Sequence, residues 1–325
     1  MPEPSFWRRR GGLVARIAAI AAVIVCLILF AREMTWSQLG ADLVHAKLLP
    51  LAIAGVLNYV LLLGKAVAWR IMLAPNYPVP TTRLMRYTIV AFAASVLAPA
   101  RAGELLRVWL LKRRDGVPTA DVAAVAIAEK LLDGVTMLLL VAPLPWLLPD
   151  LPRWVATSIG VCAGIAIAAF VALSILVRRV HATATSSWLV RFVAGMHVLE
   201  SGRRLALAMA ALIVVWIADW VMIWLVAYAV GIELSVPAGL LILFTLNLAI
   251  TAPSTPAGVG ALELGVVLAT RLLGIADEPA FALALLYHAL QILPLLVVGL
   301  VLEWRLVLGK VDAIRPEPEP EPSAG

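Results

Sequence analysis

Arg101, Glu104 and Arg107 stand three residues apart just after Pro99, between the apolar runs 87–98 and 108–111. That spacing lines the three ionisable groups along one side of a short helix opened by the proline. A charge held within a bilayer costs roughly 2.5–3.5 kcal/mol on insertion scales, so such residues face protein or water and serve a purpose. Two guanidinium groups present forks of donors that match phosphate oxygens, and a helix start adds free backbone N–H groups and a partial positive charge. The chemistry expected here is capture of an anion. The alternative is structural: Arg101 and Arg107 pair with Glu104 and hold the tip together.

Glu129 and Asp133, four apart, share a helix face, with Lys130 beside them. Left unpaired in lipid, this set of charges would be too costly, so hairpin arginines against span carboxylates is the expected pairing, with a gating role as the further option. Glu263 and His288 form a second set, either a hydrogen-bonded core pair or a site that changes charge near neutral pH. Asp219 either lines a cavity or caps a water pocket. Lys65, near the inner end of its run, is expected to snorkel. The 11 tryptophans read mostly as interface anchors.

The elements that must carry these groups are helices in a membrane. The 325 residues are 63% hydrophobic and 14% charged, more apolar surface than a soluble core needs. The net charge of +6 is then a topology signal, and nucleic-acid binding is excluded as a reading. Cys26 and Cys162 sit in apolar runs without metal or disulfide spacing. No metal or cofactor is expected, since there is no ligand cluster and no phosphate-binding G-x-x-x-x-G-K-[ST] loop.

Apolar periodicity predicts an all-α polytopic bundle. Six full spans are expected at about 13–30, 49–72, 122–147, 154–177, 205–230 and 280–302. Segments 84–112 and 238–274 are apolar but broken by Pro, Gly and charge, and each reads as two half-length helices meeting at an irregular tip, either a re-entrant hairpin or a tight pair of tilted spans. Residues 1–12 form a cytoplasmic N-terminus, 13–305 one transmembrane domain, and 306–325 a disordered Pro/Glu tail. With the N-terminus inside and each broken segment returning to its own face, Arg83, Arg86, Lys112, Arg113, Arg114, Arg178, Arg179, Arg203 and Arg204 fall inside. Only Arg32, Lys47 and Arg153 then fall outside. Both termini are therefore expected in the cytoplasm, in a multi-pass protein of the plasma (inner) membrane.

This topology exposes an internal symmetry. Units 84–147 and 238–302 enter from opposite faces, and each tip carries Pro, Gly and Glu in order: Pro99, Gly103, Glu104, and Pro256, Gly258, Gly260, Glu263. Glu104 precedes Glu129 by the same interval that separates Glu263 from His288. Inverted units of this kind are a signature of transporters that bind substrate between broken helices.

The runs Ala100–Arg107, Ala128–Asp133 and Pro256–Glu263, with Ala68–Arg70 and Gly231–Ser235, resemble the flippase-like family named for the transmembrane region of lysylphosphatidylglycerol synthase. The resemblance spans roughly 10–305. It implies a polytopic protein that moves or handles lipid, as the best-known members translocate aminoacylated phosphatidylglycerol and relatives are associated with polyprenyl-linked sugars and hopanoids. Ala257 stands where a second glycine is often seen, and His288 lies near where an arginine is common. No cytosolic aminoacyl-transferase domain accompanies the chain, so lipid aminoacylation is not expected.

The leading expectation is a non-enzymatic carrier for a membrane lipid with an anionic headgroup. Its site residues are Arg101, Glu104, Arg107, Glu129, Asp133, Gly258, Gly260, Glu263 and His288. Two alternatives stand beside it: an integral-membrane lipid transferase or hydrolase, for which Ser254 and Thr255 are the best-placed hydroxyls, and an accessory subunit partnering an envelope-biosynthesis enzyme. The lipid, the direction of movement and the oligomeric state are not written in the sequence.

Overall fold

The structure, a computed structural model, describes residues 36–74, 76–97, 102–183, 192–193, 195–196, 201–251 and 256–307. All regular structure among the described residues is helical: α1 (Trp36–Val44), α2 (Leu48–Leu73), α3 (Thr81–Leu97), α4 (Ala102–Asp115), α5 (Thr119–Val141), α6 (Leu144–Leu147), α7 (Arg153–Thr183), α8 (Gly202–Ala229), α9 (Val236–Thr251), α10 (Ala261–Leu272) and α11 (Asp277–Val307), with a 3-10 turn at Pro256–Gly258. The expected span 13–30, Arg101 and its neighbours 98–100, Ser254, Thr255 and the tail from 308 lie outside the described residues.

Four helical stretches are long and apolar enough to cross a membrane: Leu48–Leu73, Arg153–Leu173, Gly202–Ala229 and Asp277–Val307. Their outer faces are bare hydrocarbon, as with Val161, Ile165, Ile167 and Val171 on α7 and Leu293, Val297 and Val301 on α11. A contiguous apolar surface of this kind needs lipid against it, and a helix satisfies its own backbone there. The chain is a multi-pass helical membrane protein. The stretch expected as a span at 122–147 divides into α5 and α6, because Pro143 cannot continue the first helix and instead caps the second. α5 carries Glu129, Lys130 and Asp133 within its apolar sequence.

Both broken segments fold as pairs of short helices: α3 packs on α4, and α9 on α10. The chain divides into two compact units, each holding one of these hairpins.

The first unit comprises Leu62–Gly134, Ala166–Leu212 and the chain from Leu295. Its hairpin closes on Gly103, where any Cβ would strike the Ala91 carbonyl and the Ser95 side chain. Small residues at such crossings let helices approach in lipid. α11 packs on the other side of α3 in the same way, with Gly299 against Ala93. Helix α4 has Glu104 in its first turn and Lys112, Arg113 and Arg114 in its last, the arrangement that suits the helix dipole. The base of the hairpin is tied by ion pairs: Arg83 to Asp115 at 2.6 Å, and Glu303 to both Arg86 at 2.7 Å and Arg114 at 2.8 Å. Ala120 and Ala124 of α5 receive Phe192, Val193 and Met196.

The second unit comprises the chain up to Leu61, Val135–Ile165 and Ile213–Pro294. Here Gly265 of α10 meets the Thr245 carbonyl and Leu246 of α9 with no room for a side chain. Leu39 and Leu43 of α1 close over Val267, Ala282 and their apolar neighbours. Pro294 lies inside α11 and has no N–H for the carbonyl of Leu290. Asn58 of α2 supplies the missing donor, its Nδ2 reaching the Leu290 and Gln291 carbonyls at 3.1 Å each.

Candidate functional site

In the first unit the paired helices α3 and α4 bring Arg107 against α2 and α5. Arg107 is 5% exposed, and its guanidinium stacks on Trp69, the central carbon 3.7 Å from the ring centroid. The indole N–H of Trp69 donates to Glu129 Oε2 at 2.6 Å. Arg107 Nη1 lies 3.7 Å from the same carboxylate oxygen, the hairpin-to-span pairing expected from the cost of unpaired charge. Lys65 Nζ donates to both oxygens of Asp133 at 3.1 Å and lies 3.6 Å from Glu129 Oε1. Asp133, Lys65, Glu129 and Arg107 thus form one row of alternating charge.

Two features of this row depart from the sequence reading. Lys65 does not snorkel to a membrane face; two carboxylates of α5 hold it inward. Trp69 is buried beneath a cation rather than anchored at an interface. The signal for both was available, since residues 65 and 69 stand four apart and share the α2 face that meets α5. Glu104 pairs with Lys130 of α5 at 2.8 Å, and both side chains remain nearly half exposed, at 46% and 48%.

Arg107 is incompletely satisfied. Its Nε and Nη2 are buried and have no hydrogen-bond partner among the described residues. An unpaired buried donor on a charged group is costly, and native structures rarely leave one without a use. Arg107 lines a cleft with Trp69, Ser95, Gly103, Glu104, Glu129 and Lys130. The cleft has room for about 30 Å³ of small molecule, a water or two. The Glu104–Lys130 pair stands among its walls.

The second unit holds a separate polar centre. The tip after α9 turns through three left-handed residues, Ala257 (φ 59°), Gly258 (φ 78°) and Gly260 (φ 88°). Ala257 is the one non-glycine residue with positive φ among the described residues. The Gly260 N–H donates to Glu263 Oε2 at 2.6 Å, which caps α10. The other oxygen, Oε1, lies 2.6 Å from His288 Nδ1, and His288 Nε2 lies 3.1 Å from the Ala257 carbonyl. One residue earlier on α11, the Tyr287 hydroxyl donates to Asp219 of α8 at 2.6 Å and accepts from Gln291 at 2.6 Å. Asp219 therefore belongs to this centre.

The equal intervals noted in the sequence have different outcomes. Glu263 and His288, 25 apart, are in direct contact. Glu104 misses Glu129 by one residue and binds Lys130, while Glu129 takes Arg107.

The fold and these centres define the chain as a multi-pass helical membrane protein with buried, paired charges beside a broken hairpin. The family described as lysylphosphatidylglycerol synthase TM region matches residues 16–299, and the chain belongs to it. No curated protein matches the chain significantly.

Proposed function

We propose that the protein is a carrier that moves an anionic lipid between the leaflets of the plasma (inner) membrane, with the lipid phosphate held at Arg107. The supporting observation is the buried guanidinium with two unpartnered nitrogens on the wall of a cleft. A fork of donors backed by an aromatic face is suited to two phosphate oxygens. Membership of a family named for a lipid synthase's membrane region points to the same substrate class. Arg101, six residues earlier in the sequence, is assigned to the same headgroup; Glu129 and Asp133 hold the cations of the row in register. Gly258, Gly260, Glu263 and His288 serve the switching of access from the other hairpin.

This reading includes six full spans with both termini cytoplasmic and two hairpins inserted from opposite faces as inverted repeats. Basic residues support it: Arg83, Arg86 and Lys112–Arg114 flank the first hairpin at both ends, and Arg203 and Arg204 open α8, whose crossing precedes the second. The test is leaflet sidedness of labelled phospholipid and polyprenyl-phosphate lipids in vesicles containing the purified protein. Arg107→Ala abolishes movement and Arg107→Lys restores only part of it. Movement by Arg107→Ala at the wild-type rate overturns the assignment, and a chemically altered lipid transfers the case to the enzyme reading.

A further inference from the structure

His288 is held between two acceptors. Nε2 faces the Ala257 carbonyl oxygen at 3.1 Å, and Nδ1 faces the Glu263 carboxyl oxygen at 2.6 Å. A carbonyl oxygen only accepts, so Nε2 carries a hydrogen; contact at 2.6 Å requires another hydrogen between Nδ1 and Oε1. The pair is therefore either imidazolium with carboxylate or Nε2–H imidazole with carboxylic acid. Both forms carry the same two hydrogens and the same zero net charge. Loss of one proton to water takes the pair to a charge of −1. The remaining hydrogen stays on Nδ1, facing the carboxylate, and the Nε2 lone pair is set against the Ala257 carbonyl oxygen. That contact is repulsive, so the ring no longer holds the Ala257 carbonyl, while Glu263 still holds the Gly260 N–H.

Both of those backbone groups belong to the left-handed turn. Ala257 takes φ 59°, a region disfavoured for a residue with a Cβ, and the His288 contact is made by its own carbonyl. The side chains of the turn 256–260 carry no titratable group. The titratable neighbour on α11 is Tyr287, committed to Asp219 of α8, while Arg271 and Asp277 pair with each other at the far end of α10.

We propose that Glu263 and His288 form a proton-binding site that latches the turn Pro256–Gly260, closed when the proton is bound and released when it leaves. Within the carrier proposed above it supplies a proton-coupled step; that clause rests on the carrier reading, whereas the latch does not.

The test uses the full chain in liposomes without transport. Nitrogen-15 NMR of histidine-labelled protein, with His288 identified by its loss in His288→Gln, shows Nε2 protonated at pH 6. Hydrogen exchange of the 256–263 peptide, corrected for the intrinsic pH dependence, is at least tenfold slower at pH 6 than above the transition. His288→Gln loses that pH dependence. Ala257→Gly relaxes the closed turn, so protection at pH 6 is kept. An unprotonated Nε2 at pH 6, or wild-type protection flat from pH 5 to 9, overturns the proposal. A latch that titrates in a protein that moves no lipid overturns only the carrier reading.

Discussion

Arg107 and Glu129 are joined through one ring. The guanidinium lies on the face of Trp69, 3.7 Å from its centroid, while the edge of the same indole donates to Glu129 at 2.6 Å. The direct Arg107–Glu129 contact is long, at 3.7 Å, so the indole does more than the ion pair to fix the carboxylate. Nε and Nη2 of the arginine are left without a hydrogen-bond partner among the described residues, which is what an anion site requires.

Trp69→Phe keeps a ring beneath Arg107 and removes only the donor to Glu129. The expected cost is about 1.5–3 kcal/mol, the value of a hydrogen bond to a charged acceptor. Trp69→Leu loses the cation–π contact as well and falls further. Thermal unfolding of both variants in detergent, against wild type, reads the difference. Equal stabilities would show that the indole N–H contributes nothing.

Lys65 is the least replaceable cation of the row, because it faces both Asp133 and Glu129. Lys65→Met leaves two carboxylates short of a partner in a low-dielectric setting, at a cost of about 3–5 kcal/mol. Lys65→Met combined with Asp133→Leu removes one charge of each sign and recovers most of that loss. Folded yield and melting temperature of the two variants check the order.

The helical class, four of the expected spans and both broken hairpins were legible because apolar run length and Pro/Gly interruption are local properties of the chain. The cost of burying charge also made the Arg107–Glu129 pairing legible. What was not legible depends on rotation about a helix axis. Lys65 near a span end reads as a snorkelling lysine until α2 is turned so that its 65/69 face meets α5. Glu104 and Lys130 likewise pair across elements, and an interval of 25 residues does not show which of two adjacent α5 positions faces the hairpin. The break at Pro143 was visible as a proline but was read through, because the apolar run continues on both sides of it.

Asn58 answers a defect that Pro294 creates. Asn58→Leu leaves the Leu290 carbonyl without a donor inside the membrane and costs about 1–3 kcal/mol. Pro294→Ala restores an N–H at position 294 that reaches the same carbonyl, so it suppresses part of the loss. A double-mutant cycle on melting temperature should therefore be non-additive. Additivity would mean that the two residues act independently.

The Glu104–Lys130 pair lines the cleft and is nearly half exposed. Exposed ion pairs of this kind contribute about 0–1 kcal/mol, so Glu104→Gln should leave the melting temperature nearly unchanged. What it changes is entry. Ser95 lines the same cleft, and the thiol of Ser95→Cys reports how readily a small reagent reaches it. Labelling by a methanethiosulfonate should be several-fold faster when Glu104→Gln is added. A short-chain phosphatidylglycerol should protect the thiol with Arg107 present and fail to protect it with Arg107→Ala. The two halves of the experiment separate the wall from the anchor: faster labelling tests the pair as a barrier, and lipid protection tests the guanidinium as the group that holds the phosphate. Protection that survives Arg107→Ala would place the headgroup elsewhere.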